Sequence, residues 1–310
     1  MSKNIIIATY KPFAEKAKEA MKKIFEEEGY NLINKEEYGD KTSKEKLKKA
    51  VKNANGIICR SDKIDSEVID AAKNLEIIVR GGAGYDNIDT KYAAKKGIPV
   101  FNCPGQNSNA VAELAFGMML YMARNKFTPK AGRELRNKKI GIHAYGHVGE
   151  YIAKIAKGFG MEVHAYDPFV EDEKMNKNGV IPEESADKLY SKCDYISIHL
   201  PSNEKTKNTV NYDLLSNLKN TARVVNTARK AVIDEDALLR IFKEKENFYY
   251  ISDLTPDIHD TLTEKFPERY FSTPKKMGAQ TLEANIKTAE LAAKNIVNYF
   301  KNDDTTHKVN

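Results

Sequence analysis

Residues 138–168 read KKIGIHAYGHVGEYIAKIAKGFGMEVHAYDP, and this stretch decides the fold. A short apolar strand carrying Ile140 and Ile142 runs into a turn that bears Gly146 and Gly149. Val148, Tyr151, Ile152, Ile155, Ala156 and Phe159 then fall on one face of a helix, at the spacing of a buried stripe. A second strand, 162–166, ends in Asp167. This is the order of a dinucleotide-binding βαβ unit. Its small turn residues let backbone N–H groups approach a pyrophosphate at a helix N-terminus, and an acid about 20 residues on accepts from the ribose hydroxyls. Ala144 stands where the first glycine of G-x-G-x-x-G is usual, so the reading rests on the whole strand–turn–helix–strand–acid context. The candidate cofactor residues are Tyr145, Gly146, His147, Val148 and Gly149 in the turn, with Asp167 as ribose ligand. Asp167 also suits a simple cap before Pro168. As a ligand it opposes a 2′-phosphate, so NAD is expected over NADP.

The alternation of strands and helices extends in both directions. Upstream, 5–9, 56–59, 76–79 and 99–101 read as strands, with an amphipathic helix over 13–28 and further helical segments between them. That rhythm implies a small parallel sheet covered by helices. A turn-rich linker, Asn102-Cys-Pro-Gly-Gln-Asn-Ser-Asn109, leads to a helix over 110–124 that is apolar nearly all round. Such a helix is expected to be buried on most sides, between domains or against a second subunit, which points to a homodimer. Downstream, 194–199, 223–226 and 249–253 read as strands, 235–245 as a helix and 282–300 as a long closing helix. The expected fold is α/β with two doubly wound parallel-sheet domains. A Rossmann NAD-binding domain, 104–282, is inserted into a flavodoxin-like substrate domain made of 1–103 and 283–310.

Composition excludes several classes. The net charge of +6 comes from 50 basic and 44 acidic residues spread along the 310-residue chain. Runs such as 44–49 mix acids and apolar positions, which reads as solvated helix faces and not as a nucleic-acid stripe. Cys59, Cys103 and Cys193 are odd in number and lack CxxC spacing, so neither a disulfide scaffold nor a zinc site is expected. The N-terminus enters a strand without a signal-peptide core, and the longest apolar run, 114–123, is too short to span a bilayer. A cytoplasmic protein without membrane or nucleic-acid partners, and without a metal, is expected. The chain stops at Asn310, soon after its closing helix, which is expected to leave no room for a regulatory C-terminal domain.

Several further stretches carry a resemblance. Ile78-Val-Arg-Gly-Gly-Ala-Gly-Tyr-Asp-Asn-Ile-Asp89, Val111-Ala-Glu113, Ile198-His-Leu-Pro201 and Val225-Asn-Thr-Ala-Arg229, together with the βαβ unit, resemble the D-isomer-specific 2-hydroxyacid dehydrogenases along essentially the whole chain. Within that family, Lys11-Pro-Phe13, 104–113, Gly141-Ile-His-Ala-Tyr-Gly146 and 273–281 are most similar to the short phosphoglycerate dehydrogenase branch. The resemblance implies oxidation of a small anionic 2-hydroxy acid, 3-phosphoglycerate, by NAD. Reduction of another 2-keto acid such as glyoxylate or hydroxypyruvate is the alternative, and a non-catalytic NAD-sensing protein on the same fold is a second one. The resemblance also implies that Leu200, Pro201, Thr227, Ala228 and Asp253 line the cofactor, with Asp253 facing the nicotinamide. It places Gly82 and Ala83 against the substrate carboxylate. The loop after the strand at Val79 has little side-chain bulk, and its N–H groups suit an anion. Lys11, Arg60 and Arg80 end strands and are candidates for a substrate phosphate. Arg229 follows a strand, where an open α/β sheet places ligands, and its guanidinium can hold a carboxylate and carbonyl in a fixed fork.

The chain also departs from the family. Pro274-Lys-Lys-Met-Gly278 replaces the usual Pro-His-x-Gly, one residue longer and without the proton-donating histidine. Counting back from Gly278 selects Lys276 as its replacement, whereas counting forward from Pro274 selects Lys275. The position of the family's glutamate holds Ile258, with Asp257 beside it as a candidate catalytic acid whose role stays open. Lys230 and Ala231 replace a usual Gly-Gly after Arg229. His143 and His164 read as packed strand residues, and His199 as structural.

Overall fold

The computed structural model describes residues 2–36 and 43–310. The chain forms two compact units, 1–107 with 280–310, and 108–279.

Among the described residues, the first unit carries five parallel strands: β1 (Asn4–Ile7), β2 (Asn31–Asn34), β3 (Gly56–Cys59), β4 (Ile77–Arg80) and β5 (Val100–Phe101), in the order β2-β1-β3-β4-β5. This is the flavodoxin-like order. Alternation along β1 feeds two cores. Ile5 and Ile7 join Phe25, Ile58, Ala292 and Ile296 on one face, while Ile6 and Ala8 join Val51, Ile57, Val68 and Val100 on the other. The closing helix Leu282–Asn302 therefore covers the first sheet, beside the helix Glu15–Glu27. The strands over 5–9, 56–59, 76–79 and 99–101 are found within a residue or two of their expected positions. β2 was not expected: it lies at the sheet edge, with its apolar residues only half buried.

The second unit holds seven parallel strands: β6 (Lys139–His143), β7 (Glu162–Tyr166), β8 (Ile181–Pro182), β9 (Tyr195–Ile198), β10 (Arg223–Asn226), β11 (Tyr249–Ser252) and β12 (Tyr270–Ser272). Their order is β12-β11-β10-β9-β6-β7-β8. The order reverses at β6, which pairs with β7 on one side and β9 on the other, so a topological switch point lies at the tips of β6 and β9. Each central strand is buried along its length, as parallel strands covered on both faces must be.

The helix Ser108–Ala123 is buried on most of its faces, as expected. Ala112, Ala115, Phe116, Met119 and Met122 pack with Ile140, Ile142 and Ile152 in the core of the second unit, but Asn109, Glu113 and Gly117 form an exposed stripe. The sequence looked apolar all round because glycine and the half-buried Leu114 and Leu120 sit beside that stripe. Among the described residues, no helix is long and apolar enough to cross a membrane, and no group of His, Cys, Asp or Glu is arranged to hold a metal. All three cysteines are buried and unbridged, and burial pushes each thiol up to about 12.

Candidate active site

In the second unit, β6 delivers the chain to the switch point and the helix His147–Gly158 leaves it. Ala144 holds φ +77°, a value that an L-residue adopts at a cost of about 1–2 kcal/mol and that the usual glycine would adopt freely. A Cβ at Gly146 would meet nothing within 4 Å, which leaves an open cradle beside the helix N-terminus. A Cβ at Gly149 would lie 2.8 Å from Ala144 O, so that glycine lets helix and strand approach. Asp167, the first residue after β7, accepts from the N–H of Tyr145 at 2.8 Å and of Phe169 at 2.9 Å. The carboxylate is half exposed and retains lone pairs for a further donor. Thr227 Oγ1, just past β10, is buried with no hydrogen-bond partner among the described residues. An open glycine cradle, an outward-facing acid and an orphaned hydroxyl fit a dinucleotide.

Tyr145 departs from its expected role. Its ring is packed in the core, its hydroxyl accepts from Asn178 Nδ2 at 3.3 Å, and its N–H is committed to Asp167. It shapes the turn. His147 is exposed at the first helical position, and Val148 is half buried beside it. Leu200 is half buried and Pro201 exposed after β9. His143 is buried against Tyr190 OH at 3.1 Å, and burial pushes it down to about 4. His199, bonded to Ser197 Oγ at 2.8 Å, is pushed down to about 3 by burial. Both rings are neutral near pH 7. His164 sits between Glu183 and Glu162 carboxylates, each 2.7 Å away.

The turn after β10 brings two cations together. Arg229 Nη1 donates to Ala228 O at 3.0 Å, and Lys276 Nζ donates to the same oxygen at 2.9 Å. Lys276 is half buried, whereas Lys275 is exposed. The loop bearing Lys276 is held by Asp253, the first residue after β11 and fully buried. Its Oδ1 accepts from Thr273 Oγ1 at 2.8 Å and Met277 N at 2.9 Å, and its Oδ2 accepts from Gly278 N at 2.7 Å. Asp253 thus has a loop-holding function that the sequence did not indicate. Asp257 lies elsewhere: its carboxylate is 80% exposed and pairs with Lys230 Nζ at 2.5 Å. Lys230, one of the two residues that replace the usual Gly-Gly, is thus the partner of Asp257. Sequence reasoning also passed over Asn226, whose side chain braces the Arg229 turn. The available signal was an asparagine two residues before Ala228, the spacing of an Asx-turn.

In the first unit, taken alone, Lys11, Arg60 and Arg80 follow or end the adjacent strands β1, β3 and β4. Arg60 Nη1 donates to Pro12 O at 2.7 Å and its guanidinium lies 5.0 Å from the Phe13 ring. Burial and the neighbouring Arg80 lower its pKa. Arg80 folds over the glycine loop, donating to Gly81 O at 3.1 Å. Gly82 has φ +146°, a backbone conformation that strains any L side chain, and a Cβ there would also displace Arg80 Nη1 from its place 1.5 Å away. Two of this loop's N–H groups already have partners within the unit. The N–H groups of Gly81 and Gly82 donate to Cys59 O and Arg80 O, each at 2.8 Å, and Ala83 O accepts from Asn102 at 2.7 Å. The loop's geometry serves its own closure first.

A doubly wound sheet with this turn at its switch point and this acid on the next strand defines a dinucleotide-binding domain. Residues 114–267 match the NAD-binding domain of the D-isomer-specific 2-hydroxyacid dehydrogenases. An NAD⁺-bound 3-phosphoglycerate dehydrogenase from Entamoeba histolytica superposes with a TM-score of 0.92 at 41% identity, over 100% of this chain and 99% of that one. A hydroxypyruvate reductase of Thermotoga maritima is 38% identical over 67% of this chain and 72% of its own length. A D-3-phosphoglycerate dehydrogenase of Methanocaldococcus jannaschii is 36% identical over 65% of this chain, but the match spans only 41% of that enzyme. The chain belongs to the D-isomer-specific 2-hydroxyacid dehydrogenase family, and its cofactor is NAD.

Proposed function

We propose that the protein oxidises D-3-phosphoglycerate to 3-phosphohydroxypyruvate, and that Arg229 and Lys276 carry the chemistry. The convergence of both cations on Ala228 O, at 3.0 and 2.9 Å, is the observation behind this reading. When bound, NAD supplies the hydride acceptor. Arg229 exchanges its carbonyl partner for the substrate's carboxylate and C2 oxygen, and its fork fixes their plane. Lys276 Nζ moves the hydroxyl proton: the amine accepts it during oxidation and the ammonium returns it to the keto oxygen during reduction. Asp257, exposed and engaged by Lys230, has no part in this scheme. Gly146, His147, Val148, Gly149, Asp167, Leu200, Pro201, Thr227 and Ala228 are the residues proposed to hold NAD.

The preference for a phosphorylated acid rests on the first unit alone, where Lys11, Arg60 and Arg80 gather at adjacent strand tips. The similarity to the Entamoeba enzyme supports it. Reduction of unphosphorylated hydroxypyruvate is the second reading, favoured by the likeness to the Thermotoga reductase. NADH oxidation followed by absorbance, with phosphohydroxypyruvate, hydroxypyruvate and glyoxylate in parallel, tests the choice. The phosphorylated acid is expected to give the highest kcat/KM, and a lead by either of the others reverses the assignment.

A further inference from the structure

Arg229 sits in an extended backbone conformation at the start of a short turn, whose far end is tied through Asn208 N–H to Ala231 O at 2.9 Å and Val210 N–H to Val232 O at 3.0 Å. What holds the near end is Asn226, the last residue of β10 and fully buried. Its Oδ1 accepts from Ala228 N–H at 3.0 Å, and its Nδ2 donates to Arg229 O at 3.1 Å and to Tyr250 OH at 3.3 Å. Donors and acceptor are thus all in use. The first two bonds wrap the turn around one amide, as Asx-turns do, while the third ties that amide to β11. Tyr250 is itself buried, 2% exposed and stacked on Tyr270 with ring centroids 6.3 Å apart. The main chain adds a second tie, because Asp253 N–H donates to Asn226 O at 3.0 Å. The orientation of the Ala228 carbonyl matters most, since it receives both Arg229 Nη1 and Lys276 Nζ.

We infer that Asn226, anchored by Tyr250, is the positioning residue that aligns the Arg229 fork and the Lys276 amine with a 2-keto acid. The inference rests on the reading that Arg229 binds the substrate. Asn226 touches neither substrate nor cofactor on this account. It acts through the 226–229 turn, and its loss moves both cations together. Displacements of about 1 Å at a reacting group can cost about 10²-fold in rate; Thr227 and Ala228 of this turn are among the residues proposed to hold NAD, but the glycine turn and Asp167 stand on β6 and β7, so most of the proposed cofactor contacts lie outside it.

The test uses the full chain and three variants, Asn226→Asp, Tyr250→Phe and Arg229→Ala. For each, kcat and KM with phosphohydroxypyruvate, the Kd of NADH from its own fluorescence, and Tm are measured. Asn226→Asp keeps the shape and the acceptor for Ala228 N–H but loses the donors to Arg229 O and Tyr250 OH. It is expected to lower kcat/KM by about 10²-fold, through both kcat and KM, with the Kd of NADH changed less than about threefold. Its defect shrinks as pH falls, because a protonated carboxyl again presents a donor, and a purely structural defect would not show that recovery. Tyr250→Phe removes one neutral hydrogen bond and is expected to lower kcat/KM by about threefold to tenfold, with the same split. Near-normal kcat/KM in Asn226→Asp, or losses that track Tm and NADH affinity together, would overturn the inference. If Asn226→Asp does not fold, unchanged turnover in Tyr250→Phe overturns it instead. Full activity in Arg229→Ala would sink the underlying reading, whereas its loss alongside two active Asn226 and Tyr250 variants sinks only the positioning role.

Discussion

Asp167 and Asp253 are each the first residue after a strand of the same parallel sheet, and they have opposite surroundings. Asp167 is half exposed and accepts one backbone N–H on each oxygen. Asp253 is 0% exposed, and its two oxygens take three donors from the loop that carries Lys276. A carboxylate at a strand tip can therefore stay half exposed or organise a loop, and the number of internal donors it meets separates the two cases. Both lie where an open α/β sheet puts its chemistry, so position in the sheet alone does not distinguish them.

The largest expected effect tests what the Asp253 loop delivers. Lys276→Ala should lower kcat by about 10²–10⁴-fold with little change in NAD affinity, while Lys275→Ala stays within about tenfold. Near-normal turnover of Lys276→Ala across the pH range would show that the loop is held for another purpose.

Asp253→Asn attacks the clamp itself. The amide must leave at least one of the buried donors at Thr273, Met277 or Gly278 unpaired, at a cost of about 1–3 kcal/mol. The expected result is a lower Tm together with a kcat loss of about 10²-fold, because Lys276 is displaced. Normal Tm and kcat with weakened NADH binding would mean that Asp253 serves the cofactor, as Asp167 is proposed to do.

Acid should act on the other member of the comparison. His143, directly before the glycine turn, is held neutral by burial at about 4, below its ordinary 6.5. A depressed folded pKa makes this stabilisation complete above pH 6.5. It is lost as pH falls towards 4, and the 2.5-unit difference corresponds to roughly 3 kcal/mol. Thermal unfolding between pH 7 and 4.5 should show Tm falling with acid, and His143→Gln should flatten that slope. An identical slope in the variant would place the acid sensitivity elsewhere.

The smallest effect concerns Asp167 as a ligand. NAD should be preferred to NADP by at least about tenfold, roughly 1.4 kcal/mol, and Asp167→Ala should narrow that gap. Equal kcat/KM for the two cofactors in the unchanged protein would place Asp167 with Asp253 as a purely structural carboxylate.

The difference between these regions follows how far their determinants spread along the chain. The nucleotide turn was readable because strand, turn, helix and acid lie within residues 138–168, and each leaves a periodic or compositional trace. The Lys276 site was readable only as a choice between two registers, since the nearby sequence shows no trace of Ala228 O. Asp257 illustrates the same limit: its partner Lys230 is distant in sequence, and an exposed ion pair leaves no pattern. Three strands escaped sequence reading, β2, β8 and β12, and each is a sheet edge. Edge strands here are short and carry polar residues such as Asn31, Asn34 and Ser272, so they lack the continuous apolar run by which buried strands are recognised.

Local order thus belonged to the amino-acid sequence: the alternation of elements, the glycine turn before its helix, the acid after the second strand, and the arginine after a third. Those features depend on steric limits and hydrophobic periodicity, which act over a few residues and can be read without a partner. Assignment of tasks belonged to tertiary structure. Whether a buried aspartate meets donors, which of two lysines reaches a carbonyl, and how an asparagine grips an arginine's turn depend on hydrogen bonds between segments far apart in the chain. Such bonds are short and directional, so only the packed sheet, which sets the spacing of its strand tips, decides them.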